Sequence, residues 1–140
     1  MTVPMILLPV FVLVALTLVL ALWMGYERNR VVYSKEVRIK DIALTKEGWP
    51  DRAKQLSNAY HNQYELPVLF YILVALALIT KKADLIFVVL SWVFVLSRLV
   101  HAYIHTTTNR VPRRFFAYLV GLVVLTIMWA MFAIRILTGI

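Results

Sequence analysis

Four apolar runs divide this chain and restrict what it can fold into more than any other feature of the sequence. Three of them, residues 4–24, 83–104 and 115–137, are long enough to cross a hydrocarbon layer of roughly 30 Å as α-helices that rise about 1.5 Å per residue. Hydrophobic residues make up 62% of the sequence, which is more apolar surface than a soluble domain of this size can bury. Because backbone polar groups have no water partners inside lipid, each run is predicted to be a helix.

The second apolar run, residues 66–79, has only 14 residues and is too short to cross alone. The sequence GWPD at 48–51 is typical of a turn, with Asp51 as a candidate N-cap. We therefore expect one helix from about Asp51 that carries the polar stretch Asn58–Glu65 into the membrane. The prediction is an all-α membrane protein, a four-transmembrane-helix bundle forming one domain over residues 1–140, with spans at about 4–25, 51–80, 83–106 and 113–137.

The net charge of +8 is concentrated in short stretches between the apolar runs, where basic residues act as topology signals and not as contacts for nucleic acid. Two loops that the topology places on one side contain most of the Lys and Arg, so this side is predicted to be cytoplasmic and both termini to lie outside the cytoplasm. The chain has no cysteine, which excludes thiolate metal sites and a cysteine nucleophile. The basic residues of the two loops are Arg28, Arg30, Lys35, Arg38, Lys40, Lys46, Arg52, Lys54, Arg110, Arg113 and Arg114.

Polar and charged side chains that share one helix face occur in three of the predicted spans. Their spacing is i, i+4, i+7 in the second span, i, i+3, i+7 in the third and i, i+4, i+8 in the fourth. All of them lie at span ends on the predicted cytoplasmic side, so we expect them to converge on one pocket. These residues are Asn58, Asn62 and Glu65, then Arg98, His101 and His105, then Arg110, Arg114 and Tyr118, with Arg28 following the first span.

Glu65 is the only acidic residue away from the ends of a predicted span, and Arg98 at a similar depth is its natural partner. Taken alone, these two residues need only a structural role, in which an ion pair between two helices fixes how the helices pack. The remaining basic residues exceed what one carboxylate can neutralise, and guanidinium groups bind carboxylates through two parallel hydrogen bonds. The pocket is therefore predicted to take an anionic ligand.

The spacing of His101 and His105 also suits two ligands of a helical zinc site, which His61 and Glu65 would complete. Against this interpretation, Arg98 would repel a cation, and the local charge is already strongly positive. We predict no metal site.

Two segments, NAYHNQYE at 58–65 and SRLVHAYIHTTTNRVPRRFFAY at 97–118, resemble motifs of the membrane-associated proteins in eicosanoid and glutathione metabolism, MAPEG. The family pattern R-A-H-x-N-D-x-E is matched at Ala59, Asn62 and Glu65, and its later R-x-x-H is matched at Arg98 and His101. These motifs occur in the family's order and at its spacing, and the resemblance covers the four-span layout over nearly the whole chain. The basic and tyrosine residues that the family places at the start of its fourth helix correspond to Arg110, Arg114 and Tyr118.

This chain departs from the family pattern at Asn58, where many members have Arg, at Tyr60, where they have His, and at Gln63, where they have Asp. It therefore resembles a divergent bacterial-type member, which implies an integral, multi-pass protein of a bacterial inner membrane. His105 occupies a position where some members use Tyr to contact glutathione.

The resemblance implies a homotrimer that binds glutathione, as cosubstrate, between neighbouring subunits near the cytoplasmic face. Asn62 and Glu65 would hold the peptide and its amino group, the arginines would bind its two carboxylates, and Arg114 would face the thiol as the catalytic residue. The residues implied to line this site are Arg28, Asn62, Glu65, Arg98, His101, His105, Arg110, Arg114 and Tyr118.

The activity implied is that of a microsomal-type glutathione transferase or peroxidase. Such an enzyme conjugates glutathione to hydrophobic electrophiles or reduces lipid hydroperoxides, and its hydrophobic small-molecule substrate arrives from the membrane lipid. The alternative is a non-catalytic integral membrane protein of the same fold that binds an anionic lipid or metabolite. Thermal stabilisation by glutathione would discriminate between the two.

Overall fold

The computed structural model describes residues 2–139, and all regular structure within that range is helical, without strands. Its α-helices are α1 (Val3–Tyr33), α2 (Ile39–Ile42), α3 (Asp51–His61), α4 (Leu66–Thr80), α5 (Leu85–Thr106) and α6 (Val111–Thr138). A 3-10 turn, Asn62–Tyr64, joins α3 to α4. Four stretches are long and apolar enough to cross a membrane, namely Val3–Tyr33, Asp51–Thr80, Leu85–Thr106 and Val111–Thr138. The predicted all-α membrane bundle is therefore confirmed.

The first helix continues past the predicted end near residue 25 and ends at Tyr33. Its last turns contain no Gly or Pro after Gly25, and Arg30 pairs with Glu27 at 2.7 Å, an i, i+3 contact that favours helix. Arg28 therefore lies inside α1 and does not follow it.

The second span is bent at the polar stretch that precedes its apolar run. Pro67 has no N–H to donate to the carbonyl of Gln63, and its ring would clash with that carbonyl in a continuous α-helix. The chain accordingly leaves the α-helix at His61, makes the 3-10 turn, and passes through Glu65 with φ −97° and ψ −105° before α4 begins. The N-cap of α3 is Pro50, and Asp51, the expected cap, is the first helical residue.

The ends of α5 and α6 that lie away from this bend are joined by a charged contact. The Asp84 side chain accepts a hydrogen bond from the N–H of Phe87 at 2.9 Å and so caps the N-terminus of α5. Arg135, in the last turns of α6, donates to the same carboxylate and to the carbonyl of Lys82 at 3.2 Å. This contact joins the start of α5 to the end of α6.

The core lies between the spans and is built from apolar side chains of all of them. Leu13, Phe70, Phe94 and Leu125 are almost completely buried, and the rings of Phe70 and Phe94 stack with centroids 4.8 Å apart. Helices α5 and α6 pack closely at Gly121, where a Cβ atom would lie 2.9 Å from Oγ of Ser97. The absence of a side chain at that position lets the two helices pack closely.

The loops 34–50 and 107–110 lie at one end of the bundle, which we call the basic end. Hydrogen bonds from the first turns of α3 to the last turn of α5 establish this. Arg52 donates to the carbonyl of Thr106 at 2.5 Å, and Gln55 donates to those of His105 and Thr107 at 2.7 and 3.2 Å. Every polar residue singled out by the sequence analysis is thereby brought to the same end.

Candidate functional site

A cavity of about 490 Å³ opens at the basic end between the 3-10 turn, α5 and α6. We call it the polar cavity. Six of the nine residues proposed from the sequence line it, and they come from three different stretches of chain. These six are Asn62, Glu65, His101, His105, Arg114 and Tyr118.

Arg98 is completely buried and lies behind the cavity wall at Asn62. One of its terminal nitrogens donates to the side-chain oxygen of Asn62 and, at 3.4 Å, to the Asn62 backbone carbonyl. The amide nitrogen of Asn62 lies 3.5 Å from Oε1 of Glu65. Asn62 thus connects the buried cation to the carboxylate that faces the cavity.

The expected Arg98–Glu65 ion pair is not formed among residues 2–139. The prediction assumed a continuous α-helix, in which Glu65 shares a face with Asn62. The 3-10 turn and the break at Glu65 change that register, so the asparagine, not the glutamate, contacts the guanidinium. Nε and Nη1 of Arg98 have no hydrogen-bond partner among the described residues, which leaves the buried charge only partly compensated.

His101 and His105 form one wall of the polar cavity. Both side chains are buried, and their rings meet edge to face with centroids 5.6 Å apart. The ring of Tyr118 lies 5.9 Å from that of His101. Nδ1 of each histidine is buried and lacks a hydrogen-bond partner within the described part of the chain, so this wall contains two polar atoms that the described residues leave uncompensated.

Arg114 enters the cavity from the first turns of α6. One of its terminal nitrogens donates to Oδ1 of Asn109 at 2.6 Å, and Asn109 has the positive φ of 51° that turns the chain into α6. The side chain is half-buried, so its remaining N–H groups can reach a ligand. This hydrogen bond therefore holds Arg114 against the 107–110 loop.

Two of the nine residues lie outside the polar cavity of the single chain. Arg28 donates to Oγ of Ser57 at 3.0 Å, and its guanidinium lies 5.1 Å from the ring centre of Trp49, on another side of α3. Arg110 is exposed at the N-cap position of α6 and contributes its backbone carbonyl to the first turn of that helix. The predicted convergence of four spans is thus a convergence of three within one chain.

Five further residues line the cavity that were not among the nine implied by the resemblance. Asn58 was expected to share a helix face with Asn62 and to converge on the pocket, and it does line the cavity. His61 was considered only as a candidate zinc ligand, although it directly precedes Asn62. Val111 precedes Arg114 by three residues and Phe115 precedes Tyr118 by three, so helical periodicity would have found them too. Lys46 lies in the 34–50 loop, where no periodicity places a side chain.

The cavity combines cationic, amide and imidazole groups with one carboxylate. Among residues 2–139, no group of three or more His, Cys, Asp or Glu side chains is positioned to hold a metal ion. The polar wall is continuous with an apolar one formed by Val111 and Phe115, which are 60% and 62% exposed on the outer surface of the bundle. A ligand with charged and apolar parts would find both surfaces here.

Comparison with known protein families identifies the family of this chain. No curated protein matches this chain in sequence. The model of the MAPEG family matches residues 6–134, which extend from the first turns of α1 to the last turns of α6. With its four membrane-spanning helices, this chain is an integral multi-pass membrane protein that belongs to the MAPEG family.

Proposed function

We propose that the protein is a glutathione-dependent membrane enzyme that conjugates glutathione to hydrophobic electrophiles or uses it to reduce lipid hydroperoxides. The observation that carries this proposal is the distribution of charge around the polar cavity. Lys46 and Arg114 lie on its wall, Arg98 lies directly behind Asn62, and Glu65 is the single carboxylate.

Glutathione has a complementary set of charges. Its two carboxylates and the thiolate required for reaction are three anionic groups, and its ammonium is one cationic group. The three cations and one carboxylate on or behind the cavity wall therefore have opposite charges to these groups, in the same numbers. A simple anion such as phosphate would leave Glu65 without a favourable partner.

The chemistry requires a thiolate, because the thiol itself is a poor nucleophile. A free cysteine thiol has a pKa of about 8.5, and a neighbouring positive charge lowers it. Arg114 would supply that charge, and the thiol proton would leave to water. The thiolate sulfur then forms a bond to the electrophilic carbon of an aryl halide while the carbon–halogen bond breaks and the halide leaves.

The second substrate would approach along the apolar wall. Val111 and Phe115 line the cavity and are also open to the bundle surface, which lipid surrounds in an integral membrane protein. An electrophile dissolved in the bilayer could reach the sulfur without passing through water. This geometry supports lipophilic substrates.

The decisive experiment measures conjugation of glutathione to 1-chloro-2,4-dinitrobenzene, and peroxidase turnover of a lipid hydroperoxide, by the purified protein in detergent or nanodiscs. Arg114→Ala is expected to reduce kcat/KM at least 100-fold, because the charge that stabilises the thiolate is lost. Arg38→Ala removes an exposed arginine of the same end that lines no part of the cavity and is the matched control.

Absence of both activities in the wild-type protein, although glutathione raises its Tm, would reject catalysis and leave a binding function. Full activity in Arg114→Ala would reject the role of that residue. The thermal unfolding of each variant is measured in parallel to show that it is folded.

One observation favours the non-catalytic alternative, in which the cavity binds an anionic lipid or metabolite. Arg114 is already engaged by Asn109 at 2.6 Å, so part of its hydrogen-bonding capacity is used within the chain. A Tm increase with anionic lipid that Arg114→Ala abolishes, together with none with glutathione, would support this alternative.

We further propose a homotrimer with sites shared between subunits, in which Arg28 and Arg110 reach a neighbouring chain's cavity. Inactive Arg28→Ala and Arg114→Ala proteins, co-expressed with different tags, would then form mixed trimers in which some sites are intact. Partial recovery of activity is expected in those trimers and not in either parent. Light scattering of the solubilised protein tests the number of chains.

We also propose that the basic end faces the cytoplasm of a bacterial inner membrane, with both termini outside. The chain contains no cysteine, so a single introduced thiol reports one position without background. In intact cells, a membrane-impermeant maleimide is expected to label Thr2→Cys and not Lys40→Cys. The reverse pattern would invert the orientation.

A further inference from the structure

A second cavity, of about 590 Å³, lies on the opposite side of the α5–α6 pair from the polar cavity. We call it the lateral groove. One wall is formed by Val93, Leu96, Val100 and Ile104 of α5, and the other by Phe116 and Val120 of α6. Its volume lies within the range of small-molecule sites in proteins.

The two cavities use different faces of the same helix. On α6, Val111, Arg114 and Tyr118 face the polar cavity, with i, i+3, i+7 spacing. The adjacent residues Arg113 and Phe116 face the lateral groove. Two consecutive arginines are therefore directed to two different sites, and the glutathione proposal accounts for only one of them.

The floor of the groove is closed and apolar. Gly121 and Ser97 bring α5 and α6 into close contact there, which separates the groove from Arg98 and the polar cavity. Ser97 is the one uncharged polar side chain among the described lining residues, and its hydroxyl donates to the carbonyl of Phe94 at 2.6 Å. The floor thus presents no unsatisfied polar group to an occupant.

The dimensions of the groove match one leaflet of a bilayer. From Ile104 at the basic end to Val93 is eleven residues, or about 16 Å of helix at 1.5 Å per residue. Half of a hydrocarbon core of roughly 30 Å is about the same length. An acyl chain in the groove would therefore end near the bilayer centre, with its head group at the basic end.

Arg113 supplies the charge at that end. Among the described lining residues of the groove, Arg113 alone is charged. Its side chain is exposed and makes no hydrogen bond or ion pair with residues 2–139. A guanidinium at the membrane surface attracts a lipid phosphate. A second copy of this chain is a poorer match, because its basic end has an excess of positive charge over negative.

We propose that the lateral groove binds one anionic phospholipid, with an acyl chain between α5 and α6 and the head-group phosphate on Arg113. The site is distinct from the polar cavity and does not depend on glutathione binding. Its recognition elements are an apolar channel one leaflet deep and a single guanidinium at its mouth.

Native mass spectrometry of the detergent-solubilised protein tests the charge contact, with dioleoyl phosphatidylglycerol and dioleoyl phosphatidylcholine as probes. The wild-type protein is expected to retain the anionic lipid in preference. Arg113→Gln is expected to bind it about five-fold more weakly, the effect of one basic residue at a membrane surface. Arg38→Gln is the control and should behave as wild type. No preference in the wild type, or an unchanged preference in Arg113→Gln, would overturn the proposal.

The groove itself is tested by filling it. Val100→Phe places a ring between the walls, whereas Val89→Phe adds the same ring to α5 outside the groove; the two valines are 52% and 51% exposed. Val100→Phe is expected to lose bound lipid and Val89→Phe to retain it. If Val100→Phe retains lipid but changes the number of chains in the particle by light scattering, the groove belongs to a subunit interface and the lipid proposal is wrong.

Discussion

The completely buried guanidinium of Arg98 donates hydrogen bonds to the backbone and side-chain carbonyl oxygens of Asn62. An ionised group inside a membrane bundle is costly unless polar groups compensate it. Asn62 provides that compensation, and its amide nitrogen lies 3.5 Å from Glu65 at the cavity. A residue of the ligand-binding wall is thus also a structural partner of a buried charge.

Replacing Asn62 with Ala is expected to destabilise the protein by about 2 kcal/mol, because hydrogen bonds to charged groups contribute roughly 1.5–3 kcal/mol and Arg98 would lose its acceptor. The control is Asn58→Ala, which alters the same cavity at an exposed residue and should change stability by less than about 0.5 kcal/mol. Unfolding in mixed micelles measures both. Equal effects would show that the Arg98–Asn62 contact has no special importance.

Replacing Glu65 with Gln is expected to raise the Kd for glutathione about ten-fold, because the carboxylate would no longer pair with the ligand's ammonium. Titration calorimetry of the solubilised protein measures it. N-acetylglutathione, which has no ammonium group, is the matched ligand and should bind wild type and variant alike. If both ligands are weakened equally, Glu65 acts through Asn62 and not through the ammonium.

Replacing Gly121 with Ala is expected to destabilise the bundle by about 1–2 kcal/mol, because the added Cβ would lie 2.9 Å from Oγ of Ser97 and overpacking outweighs the gain in helix propensity. The same substitution in a Ser97→Ala background should cost much less. Gly25→Ala is the control, since a Cβ there meets nothing within 4 Å, and it should stabilise by up to about 1 kcal/mol. Thermal unfolding is measured for Gly121→Ala, Ser97→Ala and the variant with both substitutions, which form a double-mutant cycle with the wild type, and for the control Gly25→Ala.

The Asp84–Arg135 contact is expected to make stability depend on pH. The hydrogen bond from Arg135 is the main cause that lowers the pKa of Asp84 below its ordinary value, and the N–H of Phe87 adds to it. Because the unfolded carboxyl has a pKa of about 3.9 and binds protons more readily, the stabilisation is fully present above that pH and is lost as the pH falls through the folded pKa.

Asp84→Asn keeps a capping side chain for α5 but removes the charge. The stability difference between wild type and this variant should be largest near neutral pH and shrink below about pH 4. Asp41→Asn, which removes an exposed carboxylate at the basic end, controls for the general effect of lost acidic groups. A pH-independent difference would show that the ion pair contributes no charge-dependent stability.

The sequence by itself was sufficient for the fold class, because hydropathy and span length leave a membrane chain only helices to form. It also predicted that Asn62, His101 and Arg114 lie at one end of the bundle, since successive spans alternate in direction. Periodicity on α6 would in addition have identified Val111 and Phe115, had it been applied to apolar residues.

Helical periodicity failed where the helix itself is interrupted. Pro67 was visible in the sequence, but the conformation that the chain would adopt around it was not, and the Glu65–Arg98 pair was predicted for a helix that does not continue. The position of Lys46 depends on the path of an irregular loop, which no repeat pattern encodes.

Hydropathy and residue spacing by themselves determined that four helices cross a membrane and that polar residues of three of them meet at one end. The helices follow from the absence of water in lipid, and the shared end follows from the alternating direction of successive spans. Only the tertiary structure decided which polar groups touch. It placed Asn62 on Arg98, turned Arg28 away from the cavity, and directed Arg113 and Arg114 to different sides of the α5–α6 pair. Those contacts depend on how each helix is rotated and bent against its neighbours, which close packing at positions such as Gly121 sets and a one-dimensional pattern does not.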